Sequence, residues 1–160
     1  MRLGCVLLVF LALSLSSQAN AEATPAPELE LDTQNGTVNL NQFKGRVVYL
    51  DFWASWCKPC VQSFPWMQTL QATYQSQGLE IIAINLDKDR ALADAFLEKV
   101  TVDFTVAFDP KGDTAKIYQL RGMPTSFLIG RDGKIYATHI GFRETDKLKL
   151  KQAVLQLLDQ

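Results

Sequence analysis

Two cysteines three residues apart, Cys57 and Cys60, close the run V-V-Y-L-D-F-W-A-S-W-C-K-P-C that begins at Val47. At that spacing on a helix they share one face and lie within reach of a disulfide. The chemistry open to such a pair is thiol-disulfide exchange, in which one thiolate attacks a disulfide sulfur and a second thiol resolves the mixed disulfide. A helix N-terminus favours the attacking thiolate, because its first N–H groups have no intrahelical partner and its dipole adds roughly half a positive charge. In such a setting a cysteine pKa falls to roughly 3.5 to 7.5. Cys57 is therefore expected to attack and Cys60 to resolve.

Positioning the pair requires a strand that ends where a helix begins. Val47 to Trp53 is an apolar run of the kind that forms a strand buried on both faces. The chain then turns at Ala54 to Trp56 and enters a helix whose first turn tolerates Pro59. Asp51 interrupts the apolar run. An isolated carboxylate in a core is costly, so Asp51 is expected to keep its proton with a raised pKa, poised to exchange it near neutral pH. Lys58 adds positive potential beside the thiolate, and Trp56 flanks the exposed cysteine. His139, the only histidine, falls late in a strand and is not expected to take part.

The remaining chain alternates strands and helices. Leu29 to Val38, turning at Asn35-Gly36, reads as a small hairpin, and Asn39 to Phe43 as one helical turn. Val61, Phe64, Met67, Leu70 and Tyr74 recur at helical spacing, with Pro65 inside. Leu79 to Leu86 is a buried strand, followed by a helix capped by Asp87 or Asp89 with Leu92, Phe96 and Val100 on one face. A strand at Thr105 to Phe108, a short helix at Thr114 to Leu120, a hairpin of Thr125 to Ile129 with Lys134 to Ile140, and a final helix capped by Thr145 complete the order. That order predicts an α/β sandwich.

The combination resembles the thioredoxin superfamily, and within it the exported TlpA/ResA-type thiol-disulfide oxidoreductases. The resemblance rests on F-W-A-S-W-C-K-P-C at Phe52 to Cys60, F-P at Phe64-Pro65 and G-L-E-I-I-A-I-N-L-D at Gly78 to Asp87. It continues through G-M-P-T at Gly122 to Thr125, F-L-I at Phe127 to Ile129 and D-G at Asp132-Gly133. It implies a thioredoxin-like fold, a central mixed sheet flanked by helices, with the hairpin as an N-terminal addition. It assigns Asp51 the deprotonation of the second cysteine, and Trp56, Lys58, Pro59, Met123 and Pro124 to the substrate face. Pro124 is implied to follow a cis bond, presenting the backbone of Met123 to an extended substrate segment as an added strand. Many exported members carry a glutamate three residues after the second cysteine and an amide in place of Asp51, whereas this chain has Ser63 and Asp51.

Residues 1–21 carry one charge, Arg2, an apolar run from Val6 to Leu15 and the small-residue motif Ala19-Asn20-Ala21, which reads as a cleaved secretory signal peptide. The apolar run is shorter than the roughly 20 residues that span a bilayer. Removing it leaves Cys57 and Cys60 as the only cysteines and 15 basic against 17 acidic residues, which excludes a nucleic-acid binder. A pair so close constrains an unfolded chain very little, so it is catalytic rather than a structural staple. Residues 22–27 read as a flexible lead-in and 28–160 as one domain. The chain is accordingly expected in the periplasm, as a monomer without metal or cofactor, reducing protein disulfides with electrons from a membrane donor such as a DsbD/CcdA-type protein. The Lys-Pro pair between the cysteines favours that direction, being closer to thioredoxin's Gly-Pro than to the His-containing pair of strong oxidants. Two alternatives are a Cu(I)-binding or metal-delivery protein using the same thiolates, and a thioredoxin-fold binding or chaperone module. The proline between the cysteines disfavours the former, and the joint presence of Asp51 and G-M-P-T disfavours the latter.

Overall fold

A computed structural model describes residues 23–160. The predicted signal peptide lies outside the described residues, and among those that are described no helix is long and apolar enough to cross a membrane.

The centre of the sheet is β4 (Val47–Trp53), all seven of whose residues are buried. It runs parallel to β5 (Leu79–Asn85), which in turn runs parallel to β6 (Thr105–Phe108). On its other side β4 pairs antiparallel with β7 (Thr125–Ile129), and β7 with β8 (Lys134–Ile140). The hairpin of β2 (Glu30–Thr33) and β3 (Gly36–Asn39) adds to the edge of β6, and β1 (Thr24–Pro25) pairs with β8 at the far edge. The eight strands follow the order β1-β8-β7-β4-β5-β6-β2-β3, so the thioredoxin-like α/β fold and its N-terminal hairpin are both present.

Strand alternation sends β4 side chains to two cores. Val47, Tyr49 and Trp53 pack with Phe64, Met67 and Leu70 of α1 (Lys58–Tyr74), Ala93 of α2 (Arg90–Leu97), and Val154 and Leu157 of α4 (Asp146–Leu158). Val48, Leu50 and Phe52 face Leu29, Val38, Phe127 and Tyr118, the last at the end of α3 (Asp113–Ile117). Pro65 sits inside α1 with no N–H to offer the Val61 carbonyl, and the Thr69 hydroxyl donates to the Pro65 carbonyl one turn on (2.9 Å).

Several boundaries depart from the sequence reading. Thr24 and Pro25 are tied to Ile135 and Lys134, and Ala26 N–H donates to Gly133, so the expected lead-in is anchored to the sheet edge. The β2–β3 turn is centred on Gln34-Asn35, because Gly36, at φ 121°, already pairs with Thr33. In α2, capped by Asp89, Phe96 packs against the core as expected and so does Val100 beyond the helix end, but Leu92 is 52 % exposed and Ala93 is the buried residue of the first turns. The expected helix at 114–120 is shorter, ending before Gln119 takes a left-handed φ of 51°. Thr145 makes no capping hydrogen bond. Instead the carboxyl of Asp146 accepts from Arg143 N–H (2.9 Å).

Candidate active site

Cys57 is the N-cap of α1, and Lys58, Pro59 and Cys60 form its first turn. Pro59 fits there because its missing N–H would have had no intrahelical acceptor. Cys57 N–H donates to the Ala54 carbonyl and Cys57 C=O accepts from Val61 N–H, both at 3.1 Å, so the residue is fixed on both sides. Cys57 and Cys60 are joined by a disulfide, their Cα atoms 5.2 Å apart. Cys57 retains 6 % of its surface and Cys60 none. Cys57 is thus less exposed than the sequence suggested, and a reagent still reaches it before Cys60. Trp56, 68 % exposed, stands beside it, with Lys58 exposed and Pro59 half-buried.

Just before β7, whose Thr125 pairs with Phe52 near the end of β4, the Met123–Pro124 bond is cis. Met123 packs against the cluster that contains both cysteines, while Pro124 is buried and its carbonyl accepts from Gly141 N–H (2.7 Å). The sequence-predicted residues Trp56, Lys58, Pro59, Met123 and Pro124 therefore gather at one end of the sheet with the cysteine pair.

Asp51 lies at the middle of β4, 2 % exposed, on the same side as Tyr49 and Trp53 and hence on the face covered by α1. Burial holds its carboxyl well above the usual carboxylate range. Its Oδ2 is enclosed without a hydrogen-bond partner. The Tyr49 hydroxyl is likewise pushed up by burial and by the neighbouring Asp51, and it donates to Ser126 Oγ (2.9 Å). The site thus holds a dithiol-disulfide pair on the same sheet face as an enclosed carboxyl that burial makes a stronger proton holder than an exposed carboxylate.

One residue of the site was missed by sequence reasoning, which treated Asp87 only as a possible helix cap. Its buried carboxyl accepts from Ser55 N–H (2.9 Å), Ser55 Oγ–H (3.1 Å) and Asn85 Nδ2–H (2.8 Å), while Asp87 N–H donates to Asn85 Oδ1 (3.0 Å). Asp87 therefore ties the end of β5 to the turn that delivers Cys57. The available signal was a serine two residues before the first cysteine and an Asn-x-Asp at the end of the adjacent parallel strand. Because hydrogen bonds to a buried carboxyl are each worth about 1.5–3 kcal/mol, Asp87→Ala should destabilise the protein by about 3 kcal/mol. It should also free the 54–57 turn, which backbone hydrogen exchange of Ser55 to Cys57 measures.

His139, late in β8, has its Nε2 3.4 Å from Asp146 Oδ2. Among the described residues no group of three or more His, Cys, Asp or Glu is assembled that could hold a metal ion. A groove of about 700 Å³ between residues 33–35 and 94–106 does not include the disulfide.

Fold and site together define a thiol-disulfide oxidoreductase. The chain belongs to the Redoxin family, whose model matches residues 19–155, and within the thioredoxin superfamily it is of the TlpA/ResA type. It is 36 % identical over 118 residues to the thiol-disulfide oxidoreductase ResA of Bacillus thuringiensis subsp. konkukian, a match covering 74 % of this chain and 68 % of that protein. Among solved structures it is similar to one assigned to a thiol:disulfide interchange protein DsbE of Chlorobium tepidum, at 51 % identity and a TM-score of 0.84, covering 85 % of this chain and 96 % of that one. It is also similar to StoA of Bacillus subtilis, at 29 % identity and a TM-score of 0.67, covering 82 % of this chain and 99 % of that one.

Proposed function

We propose that this oxidoreductase is exported to the periplasm by residues 1–21 and there reduces protein disulfides. The observation that carries the proposal is the ordering of the pair, Cys57 at the rim and Cys60 wholly buried, on the sheet face that holds Asp51. In the reduced protein the Cys57 thiolate attacks one sulfur of a substrate disulfide and displaces the other as a thiolate. Cys60 then passes its proton to the Asp51 carboxylate, and its sulfur attacks Cys57 Sγ. The Cys57–Cys60 disulfide forms and the second substrate thiolate leaves, two electrons having moved from protein to substrate. Trp56, Lys58, Pro59, Met123 and Pro124 form the face on which the substrate segment lies. Each turnover leaves the protein oxidised, so a membrane partner of the DsbD/CcdA type must return two electrons.

The test is insulin reduction with dithiothreitol as the electron source, run beside Cu(I) titration of the reduced protein. The proposal expects precipitation of the insulin B chain well above the reductant-only rate. A metal-delivery protein would instead bind one Cu(I) per chain and leave insulin at the background rate, and a binding module would do neither.

A further inference from the structure

A buried acceptor that takes the proton of Cys60 must also lose it before the next cycle, and Asp51 has almost no surface through which to do so. The register of the sheet offers a way out. Asp51 on β4 lies directly opposite Ser126 on β7, and Ser126 lies directly opposite His139 on β8. Opposed residues point to the same face with Cβ atoms about 4.5–5.5 Å apart, so the three side chains form a row across three strands on the side covered by α1 and α4. Ser126 Oγ accepts from the Tyr49 hydroxyl, which leaves its own hydrogen free to donate. On either side of it stand two buried polar atoms, Asp51 Oδ2 and His139 Nε2, that hydrogen-bond neither Ser126 nor any other group in the oxidised protein, so transfer requires the Ser126 hydroxyl to move into reach of each in turn. His139 Nε2 is within 3.4 Å of Asp146 Oδ2 at the start of α4, an ion-pair distance at which the hydrogen-bond geometry is not met. The His139 side chain is 22 % exposed while its Nε2 is enclosed, so the row reaches solvent through the rest of the ring.

We propose that Asp51, Ser126 and His139 form a proton relay across the sheet, carrying the proton of Cys60 from the buried carboxyl to the surface at His139. The proposal rests on Asp51 being the acceptor for Cys60. In each cycle the proton moves from Cys60 Sγ to Asp51, from Asp51 to Ser126 Oγ as the Ser126 hydrogen passes to His139, and from the imidazole to water or buffer. No electrons move in these steps. Beside Asp51 stand Tyr49 on β4, Ser126 on β7 and the apolar Ala83 of β5, on the face covered by α1. The groups facing His139 are Ser126 and, from α4, Asp146. Along this row only His139 and Asp146 lead outward.

The relay is tested by the rate at which Cys60 resolves a preformed mixed disulfide on Cys57, followed by stopped flow in wild type, His139→Gln, Ser126→Ala and Asp51→Asn at several buffer concentrations and pH values. Wild type should be insensitive to buffer concentration. His139→Gln should resolve about tenfold more slowly in dilute buffer and recover with added imidazole. Ser126→Ala should slow similarly, whether or not imidazole restores it. Asp51→Asn should be slowest and should not respond to imidazole. Wild-type rates and buffer independence in both His139→Gln and Ser126→Ala, with Asp51→Asn still slow, would overturn the relay and leave Asp51 in place. A wild-type rate in Asp51→Asn would remove the acceptor itself. A change in melting temperature without a change in buffer response would reduce His139 and Ser126 to packing.

Discussion

Cys60→Ser should accumulate a covalent adduct with a disulfide substrate, held through Cys57 and released by dithiothreitol, whereas Cys57→Ser should form none. Both variants should lose multiple-turnover insulin reduction down to the reductant-only background. The asymmetry follows from placement. Cys57 caps α1 at its positive end and keeps 6 % of its surface, while Cys60, one turn into the same helix, is fully enclosed and meets a substrate sulfur only after Cys57 has bound it. Non-reducing gels and mass spectrometry of the trapped adduct give the answer. An adduct through Cys60 in Cys57→Ser would reverse the roles.

Asp51→Asn should act on both kinetics and stability, with opposite consequences. General acid-base help from a positioned side chain contributes roughly 10²–10⁴-fold, so losing the acceptor should slow resolution of the mixed disulfide at least about a hundredfold and flatten its pH dependence near neutrality. For stability the sign follows from the raised folded-state pKa. Unfolded, Asp51 gives up its proton above about pH 4, while the folded protein keeps it to a higher pH. The folded state then binds more protons, so the contribution of Asp51 to stability is fully present below about pH 4 and is lost as pH rises through its folded pKa. Asparagine removes that loss. The melting temperature of Asp51→Asn should therefore gain on wild type as pH rises from 4 to 8, each kcal/mol recovered being worth about 4 °C. Differential scanning calorimetry across that range measures it. A difference independent of pH would mean that Asp51 is ionised in the folded protein.

The centre of this molecule was legible in the sequence because its signals are local and mutually consistent. A buried strand, a turn, a helix that tolerates proline in its first turn and two cysteines on one helical face leave little choice of arrangement, and β4, α1 and the disulfide follow. What was not legible depends on register between distant segments. Asp87 reaches Ser55 only because β5 runs parallel to β4, Leu86 N–H donating to the Trp53 carbonyl. Ser126 and His139 align with Asp51 only because β7 and β8 pair in one of several possible registers. Boundaries failed where tertiary contact overrode a local rule. The apolar periodicity of α2 placed Leu92 and Phe96 inward, and Phe96 does pack against Phe64 and Trp53, yet the position buried beside it is the small Ala93 while Leu92 is turned out. At Thr145, the carboxyl of Asp146 takes the neighbouring N–H instead.

The reduction potential of the Cys57–Cys60 couple tests the central claim most directly. Potentials in this fold run from about −270 mV for thioredoxin to about −120 mV for a strong oxidant, and the residues between the cysteines are a principal tuning element. Equilibration of the protein with graded dithiothreitol or glutathione buffers, read by thiol alkylation and mass, should give a value more negative than about −200 mV, at which the reduced dithiol donates electrons to protein disulfides. A value near −120 mV would make the reduced form the more stable partner and would contradict the assignment of this protein as a reductant.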